Sequence, residues 1–460
     1  MSVLTRIRSA VAGIALVAGL ATPLMVNADT LADAMVGAYR SSNLLEQNRA
    51  LLRAADEDVQ QAIAALYPVV NFAVTATAGT TGLTDSSINA GLTASMTLID
   101  FGRNRRSLDM TRESVLATRA ALVGIEQNVI LGAVQAYLGL YNQLQTVQLQ
   151  RNNVSVINEQ LRAARERFEL GDSTRTDVAL AEARLAASRS ALAAAEGDVA
   201  IAREQYNFAV GAYPASISAP PRLPQLPSSL EAAQDLARRN HPAITQAQHL
   251  VASSEIGMEV ARLQRLGEVS GSLSAGLTGT QGPSSNSNSV SASLSYQVPL
   301  FTAGRLSSVE RQALAGTEAQ RASLHQTVAT VQQSVASNWA RLSVARATLL
   351  AGDQQIRAAQ SAYDAVSAEA ELGSRTTLDV LDAEQELLDA RSSRILAAAN
   401  VQLAAYALLN SMGQLTVTAL NLGIPTYDVS AYSSTMRQGP ARVTPSTQGQ
   451  ALDRIMDRYR

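Results

Sequence analysis

Two stretches in the second half of the chain alternate strictly between apolar and polar positions. Val269, Gly271, Leu273, Ala275 and Leu277 are interleaved with Ser270, Ser272, Ser274, Gly276 and Thr278. Past the turn-rich GTQGPSSNSN, Val290, Ala292, Leu294, Tyr296 and Val298 are interleaved with Ser289, Ser291, Ser293, Ser295 and Gln297. The first half repeats the pattern in Val70, Phe72, Val74, Ala76 and Ala78, then in Ile88, Ala90, Leu92, Ala94, Met96 and Leu98. A period of two over this length predicts strands with one apolar and one polar face, forming hairpins over 68–100 and 268–301. The polar faces hold Ser, Thr and Asn almost without charge, and the length suits a tilted membrane crossing of roughly 9–11 residues. Nothing else in the chain offers cover for the apolar side. Four strands do not close a barrel, and an open sheet edge is not tolerated in lipid. Closure calls for other copies: eight strands from a dimer leave room only for side chains, whereas twelve from a trimer leave a lumen.

The remaining pattern is helical. From Arg103 to Glu169 and from Arg305 to Glu371 there is no Pro and very little Gly, and at about 1.5 Å per residue each tract extends on the order of 100 Å. Shorter helical tracts at 31–66 with 176–210, and at 230–266 with 378–412, sum to a similar length and are expected to stack end to end beside the long ones. Val178, Leu185, Leu192, Val199 and Tyr206 recur every seven residues, followed at three by Ala181, Ser188, Ala195, Ala202 and Ala209. Val380, Leu387, Arg394, Val401 and Leu408, with Ala383, Ala390, Ala397, Ala404 and Ser411, repeat this in the second half. A strict heptad imposes a left-handed supercoil, and small residues at every second core position let helix axes approach closely. Arg394 interrupts the seam.

The two halves are copies. A shift of 202 carries LIDFGRN (98–104) onto LFTAGRL (300–306), Tyr137 onto Trp339, Gly171 onto Gly373, Asp177 onto Asp379 and Gly211 onto Gly413. Upstream of the hairpins the shift becomes 199, a slip that hairpin loops absorb. The organisation expected is a first repeat over 29–212, a Pro-rich linker over 213–229, a second repeat over 230–413, a further segment over 414–430 and a polar, turn-rich, disordered tail over 431–460.

Composition narrows the chemistry. Residues 1–28 carry Arg6 and Arg8 ahead of an apolar run and end Val-Asn-Ala, the form of a signal peptide cleaved before Asp29. Cleavage leaves 35 basic against 39 acidic residues, too balanced for a nucleic-acid partner. The chain has no Cys and no Lys, which excludes disulfides, thiolate metal sites, Schiff bases and a phosphate-gripping loop lysine. His241, His249 and His325 form no ligand set and read as solvated polar residues, so no metal, cofactor or catalytic residue is implied. A membrane-embedded hydrolase would need a base beside its nucleophile, and the strands supply Ser without His.

On TLADAMVGAYRSSNLLEQNRALLRAADEDVQQAIAALYPVV, on the paired LIDFGRNRR and PLFTAGRLSS, and on the paired LGDSTRTDV and LGSRTTLDV, the chain resembles the TolC family of bacterial outer-membrane export channels, within it the group associated with type I secretion. The likeness runs over about residues 30–425. It implies an α plus transmembrane β architecture: a homotrimer whose 12-stranded β-barrel, four strands per subunit, stands in the outer membrane of a Gram-negative cell and continues as an α-helical coiled-coil barrel through the periplasm. It implies a passive gated duct, part of a tripartite system for type I secretion or multidrug efflux, in contact with outer-membrane lipid. The partners implied are a periplasmic adaptor, contacting the tip turns at Gly171 and Gly373, and an inner-membrane ABC or proton-driven transporter. The family's aperture aspartates match Asp379 and Asp382, and its latch matches Arg375 with Thr176 and Asp177; Ala370 stands where some members carry a tyrosine.

Asp379 and Asp382 are three apart, on one face of the first helical turns. In a trimer such carboxylates converge into a negative constriction that attracts cations, although an acid near a helix start also offsets the helix dipole. The first repeat keeps Asp177 but has Leu180 in the second position, so one repeat alone supplies the pair. The alternative architecture is a periplasmic coiled-coil adaptor without a pore.

Overall fold

The computed structural model describes residues 28–78, 86–281, 287–429 and 432. The signal segment before Ala28, both hairpin turns and the tail beyond Tyr432 lie outside the described residues. The chain runs α1 (Leu31–Ser41), α2 (Asn43–Ala64), β1 (Val69–Ala78), β2 (Ser86–Ile99), α3 (Arg103–Leu170), α4 (Arg175–Val210), α5 (Leu230–Asn240), α6 (Pro242–Leu263), β3 (Glu268–Gln281), β4 (Ser287–Gln297), α7 (Arg305–Glu371) and α8 (Thr377–Ser411).

Each tract preceding a hairpin reads as one helix in the pattern, but in the structure it is two. Ser42 takes extended angles, closes α1 and caps α2 by accepting the Leu45 N–H at 3.2 Å. His241 does the same between α5 and α6, accepting the Ala243 N–H on Nδ1 at 3.2 Å. Pro242 enforces that break, since the residue before proline is pushed out of helical angles while proline itself suits the first helical position.

The long helices are scaffolds for the short ones. α3 packs against α1, α2 and α4 and also against α6 and α8 of the other repeat, while α7 packs against α5, α6 and α8. The stacked helices meet end to end at duplicated glycines. Gly211 (φ +86°) closes α4 against Ser41, whose hydroxyl donates to the Val210 carbonyl at 2.8 Å. Gly413 (φ +74°) follows α8 against Asn240. A Cβ at Gly413 would stand 2.7 Å from the Asn240 carbonyl oxygen, so left-handed angles and close approach both demand glycine.

The heptad positions form the interiors of the coiled pairs: Ala181, Leu185, Ser188, Ala195, Val199, Ala202 and Tyr206 on α4 are buried, as are Val380, Leu387, Ala390, Ala397, Val401 and Leu408 on α8. Arg394 escapes the seam. Its Nε pairs with Asp353 Oδ1 at 3.0 Å while its stem lies over the buried Gly352 of α7. The largest core sits midway along the helices, where Leu415 and Val417 are fully buried and Val417 N–H donates to Glu126 Oε1 at 2.8 Å. There Asp29 bridges to Ile217 of the Pro-rich linker, and the Tyr137 hydroxyl donates to the Ser218 carbonyl at 2.8 Å.

Candidate functional site

The strands form a single antiparallel sheet in the order β1-β2-β3-β4, with β2 and β3 joining the two repeats. The register places like with like along most of each ladder. Phe72 pairs with Leu92 and Leu92 with Ala275, while Leu273 pairs with Ala94 and Ala292. On the other face Thr93 pairs with Ser274 and Ser95 with Ser272. Serine hydroxyls are hydrogen-bonded across β3 and β4: Ser270 to Ser295 at 2.8 Å, Ser272 to Ser293 and Ser274 to Ser291 both at 2.7 Å. Within the described strands Glu268 carries the only charge, and it is paired with Arg103 of α3.

The apolar face is bare. Val290 is 80% exposed, Leu294 72% and Phe72 67%, and β1 and β4 each leave one edge unpaired. At the helical end of the sheet Tyr67, Phe101, Tyr296 and Phe301 are also exposed, the placing of an aromatic belt at a lipid–water boundary. An apolar band bounded by aromatics, with an uncharged hydroxyl-lined reverse, is what a barrel wall presents to lipid and to water.

At the far end of the helices the two repeats make the same turn. Gly171 (φ +87°) and Gly373 (φ +77°) stop α3 and α7 in left-handed angles. Thr174 and Thr376 then start α4 and α8 with reciprocal caps. Asp379 Oδ2 accepts the backbone N–H of Thr376 at 2.9 Å and its hydroxyl at 2.8 Å, and Thr376 Oγ1 accepts the Asp379 N–H at 3.2 Å. Asp177 serves Thr174 identically and also accepts the Ser173 hydroxyl at 3.1 Å. These bonds to the charged form, those from Thr376 above all and Arg375 in lesser measure, hold the Asp379 carboxyl below its ordinary value, and Thr174 does the same for Asp177. Leu170 and Leu372, beside the turn glycines, are 78% and 86% exposed.

Within one chain the motif residues have separate partners. Asp382 is paired with Arg184 of α4 at 2.9 Å, across the two repeats. Arg375 is paired with Glu369 of its own turn at 2.8 Å, and among the described residues no hydrogen bond joins it to Thr176 or Asp177. Arg184 flanks the α4 seam one position before Leu185, and Glu384 flanks the α8 seam one position after Ala383. Charges at such flanking positions set helix pairing, so the heptad carried a signal for both. His249 is likewise engaged, its Nδ1 lying 2.8 Å from Glu113 Oε2 across α6 and α3, so neither it nor the helix-capping His241 is merely solvated.

The comparisons agree with this geometry. The family model for outer membrane efflux proteins matches residues 38–212 and 233–414, one block per repeat. The outer membrane efflux protein BepC of Brucella suis is 34% identical over 408 residues, covering 87% of this chain and 88% of its own. The outer membrane protein TolC of Escherichia coli is 25% identical over 469 residues, covering 93% and 90%. Among solved structures, the Campylobacter jejuni CmeC outer membrane channel superposes with a TM-score of 0.74 at 15% identity, over 90% of each chain. With both repeats matched in order and the sheet built as a barrel wall, the chain belongs to the outer membrane efflux protein family.

Proposed function

We propose that three chains pool their strands into a 12-stranded barrel and their helices into a tube, making a passive, gated export duct across the outer membrane and into the periplasm. The observation that carries this reading is the four-stranded sheet, bare on its apolar face and open at both edges. In lipid such edges must be paired. The hydroxyl-lined face offers cargo a wet wall with almost no fixed charge, so discrimination by charge falls to the helix tips. There three copies of Asp379 form a negative ring at the aperture, with Asp382 on the same helix turn tied to Arg184. In the latch, Arg375 exchanges Glu369 for the Thr176 and Asp177 of a facing tip.

Transport energy comes from an inner-membrane transporter, ABC-type or proton-driven, coupled through a periplasmic adaptor. The exposed Leu170 and Leu372 beside Gly171 and Gly373 give that adaptor two equivalent apolar footholds per chain. The natural absence of cysteine makes a direct test clean. A single cysteine at Ser374, carrying a photocross-linker, is expected to capture a periplasmic adaptor in intact cells, whereas one at Ser272 on the sheet captures none. Equal capture from both positions, or from neither, contradicts the assignment of the tips.

A further inference from the structure

The Arg184–Asp382 pair joins residues 198 positions apart and ties α8, which packs on both α7 and α3, to α4, which packs on α3. Two residues further along α8, Glu384 turns inward and is 7% exposed. It faces a cavity of about 190 Å³ walled by Asn152 and Asn153 of α3, Tyr363 of α7 and Arg391 of α8. Among the described residues no cation forms an ion pair with it. Arg184 is held by Asp382, and Arg391 donates to Gln360 Oε1 at 2.7 Å. From α7 the titratable neighbour is Tyr363, and the polar side chains that α3 brings to the cavity are the neutral amides of Asn152 and Asn153, the latter bonded to Ser188. Among the described residues Glu384 Oε2 has no hydrogen-bond partner. A carboxylate so placed is costly, and burial pushes the Glu384 carboxyl up to about 7, with Arg391 and Arg184 offsetting only part of that.

We propose that Arg184, Asp382 and Glu384 form a clasp that holds the α7–α8 pair against the α3–α4 pair, and that the tip opens by releasing it. The proposal rests on the channel reading and gives its gate residues outside the Arg375 motif. On release Arg184 and Asp382 part and Glu384 enters water, where its carboxyl regains an ordinary value. The clasped state therefore binds a proton more tightly than the released one. Its advantage is greatest at a pH below the ordinary carboxyl value, declines as pH rises towards about 7, and changes no further above that.

The test is basal conductance of the full-length protein in planar bilayers. Arg184→Asp and Asp382→Arg are each expected to raise it roughly three- to tenfold, the scale of three partly exposed ion pairs lost together. The exchanged pair Arg184→Asp with Asp382→Arg should return it towards the starting value, which a mere change of charge at the aperture would not do. The unaltered channel should grow more conductive between pH 5 and pH 7, and Glu384→Gln, nearly isosteric and always neutral, should flatten that rise at its low-pH level. Glu384→Gln keeps the question open to measurement where a charge-reversed chain does not assemble. Unchanged conductance in both single variants, no restoration on exchange, or an unaltered pH profile in Glu384→Gln overturns the clasp. If the unaltered protein forms no channel at all, the channel reading fails instead.

Discussion

Asp379 and Thr376 hold each other through three hydrogen bonds at the start of α8, so the residue expected to charge the aperture also closes the helix. The two roles separate by substitution. Asp379→Asn keeps an acceptor for Thr376 but removes the charge, and should lower cation preference in reversal-potential measurements while the first turn of α8 stays protected. Asp379→Ala removes both, and amide exchange in that turn should quicken roughly fivefold, the usual scale for a lost cap. Because the Asp379 carboxyl is held below its ordinary value of 3.8, its charge and its cap are present above that value and are lost only as pH falls beneath it. The contribution of Asp379 to cation preference should therefore persist from pH 7 to pH 5.

Adjacent residues of β2 report the two sides of the barrel wall. Leu92 belongs to the apolar ladder with Phe72 and Ala275, whereas Thr93 belongs to the polar ladder with Asn71 and Ser274. Leu92→Arg places a charge against lipid at a cost of about 2–4 kcal/mol near the midplane, and is expected to abolish assembled channels in outer-membrane fractions. Thr93→Arg should assemble normally and shift selectivity towards anions. Equal tolerance of both substitutions would contradict the assignment of faces.

This parity was legible in the sequence because a strand's period of two survives any tertiary context, and the heptads of α4 and α8 were legible for the same reason. The breaks at Ser42 and His241 were harder to read. Ser42 lies among helix-compatible neighbours, and the Pro242 signal was subsumed into a longer periodic tract. The heptad marks Arg184 and Glu384 as flanking charges, but the identity of their partners was not legible. Nothing local says that Arg184 meets Asp382, that Arg394 finds Asp353, or that Glu384 turns away from water, since each depends on how two helix pairs are set against one another. Within one chain Arg375 contacts Glu369, which follows from the geometry of its own turn.

Arg119 of α3 reaches Asp56 of α2 at 3.1 Å, and Asp56 is 5% exposed. Arg119→Ala leaves that carboxylate buried without its cation and should cost about 3 kcal/mol. An exposed pair such as Arg162 with Glu159 is the control, since Arg162→Ala should change stability by less than about 1 kcal/mol. Thermal unfolding followed by circular dichroism distinguishes the two.

The central claim is that one chain supplies too few strands for a tube and three must share them. The most direct measurement combines the mass of the purified, detergent-solubilised protein with its current in planar bilayers. The account predicts a heat-sensitive trimer that opens discrete, long-lived conductances. A water-soluble monomer that carries no current in lipid would contradict it.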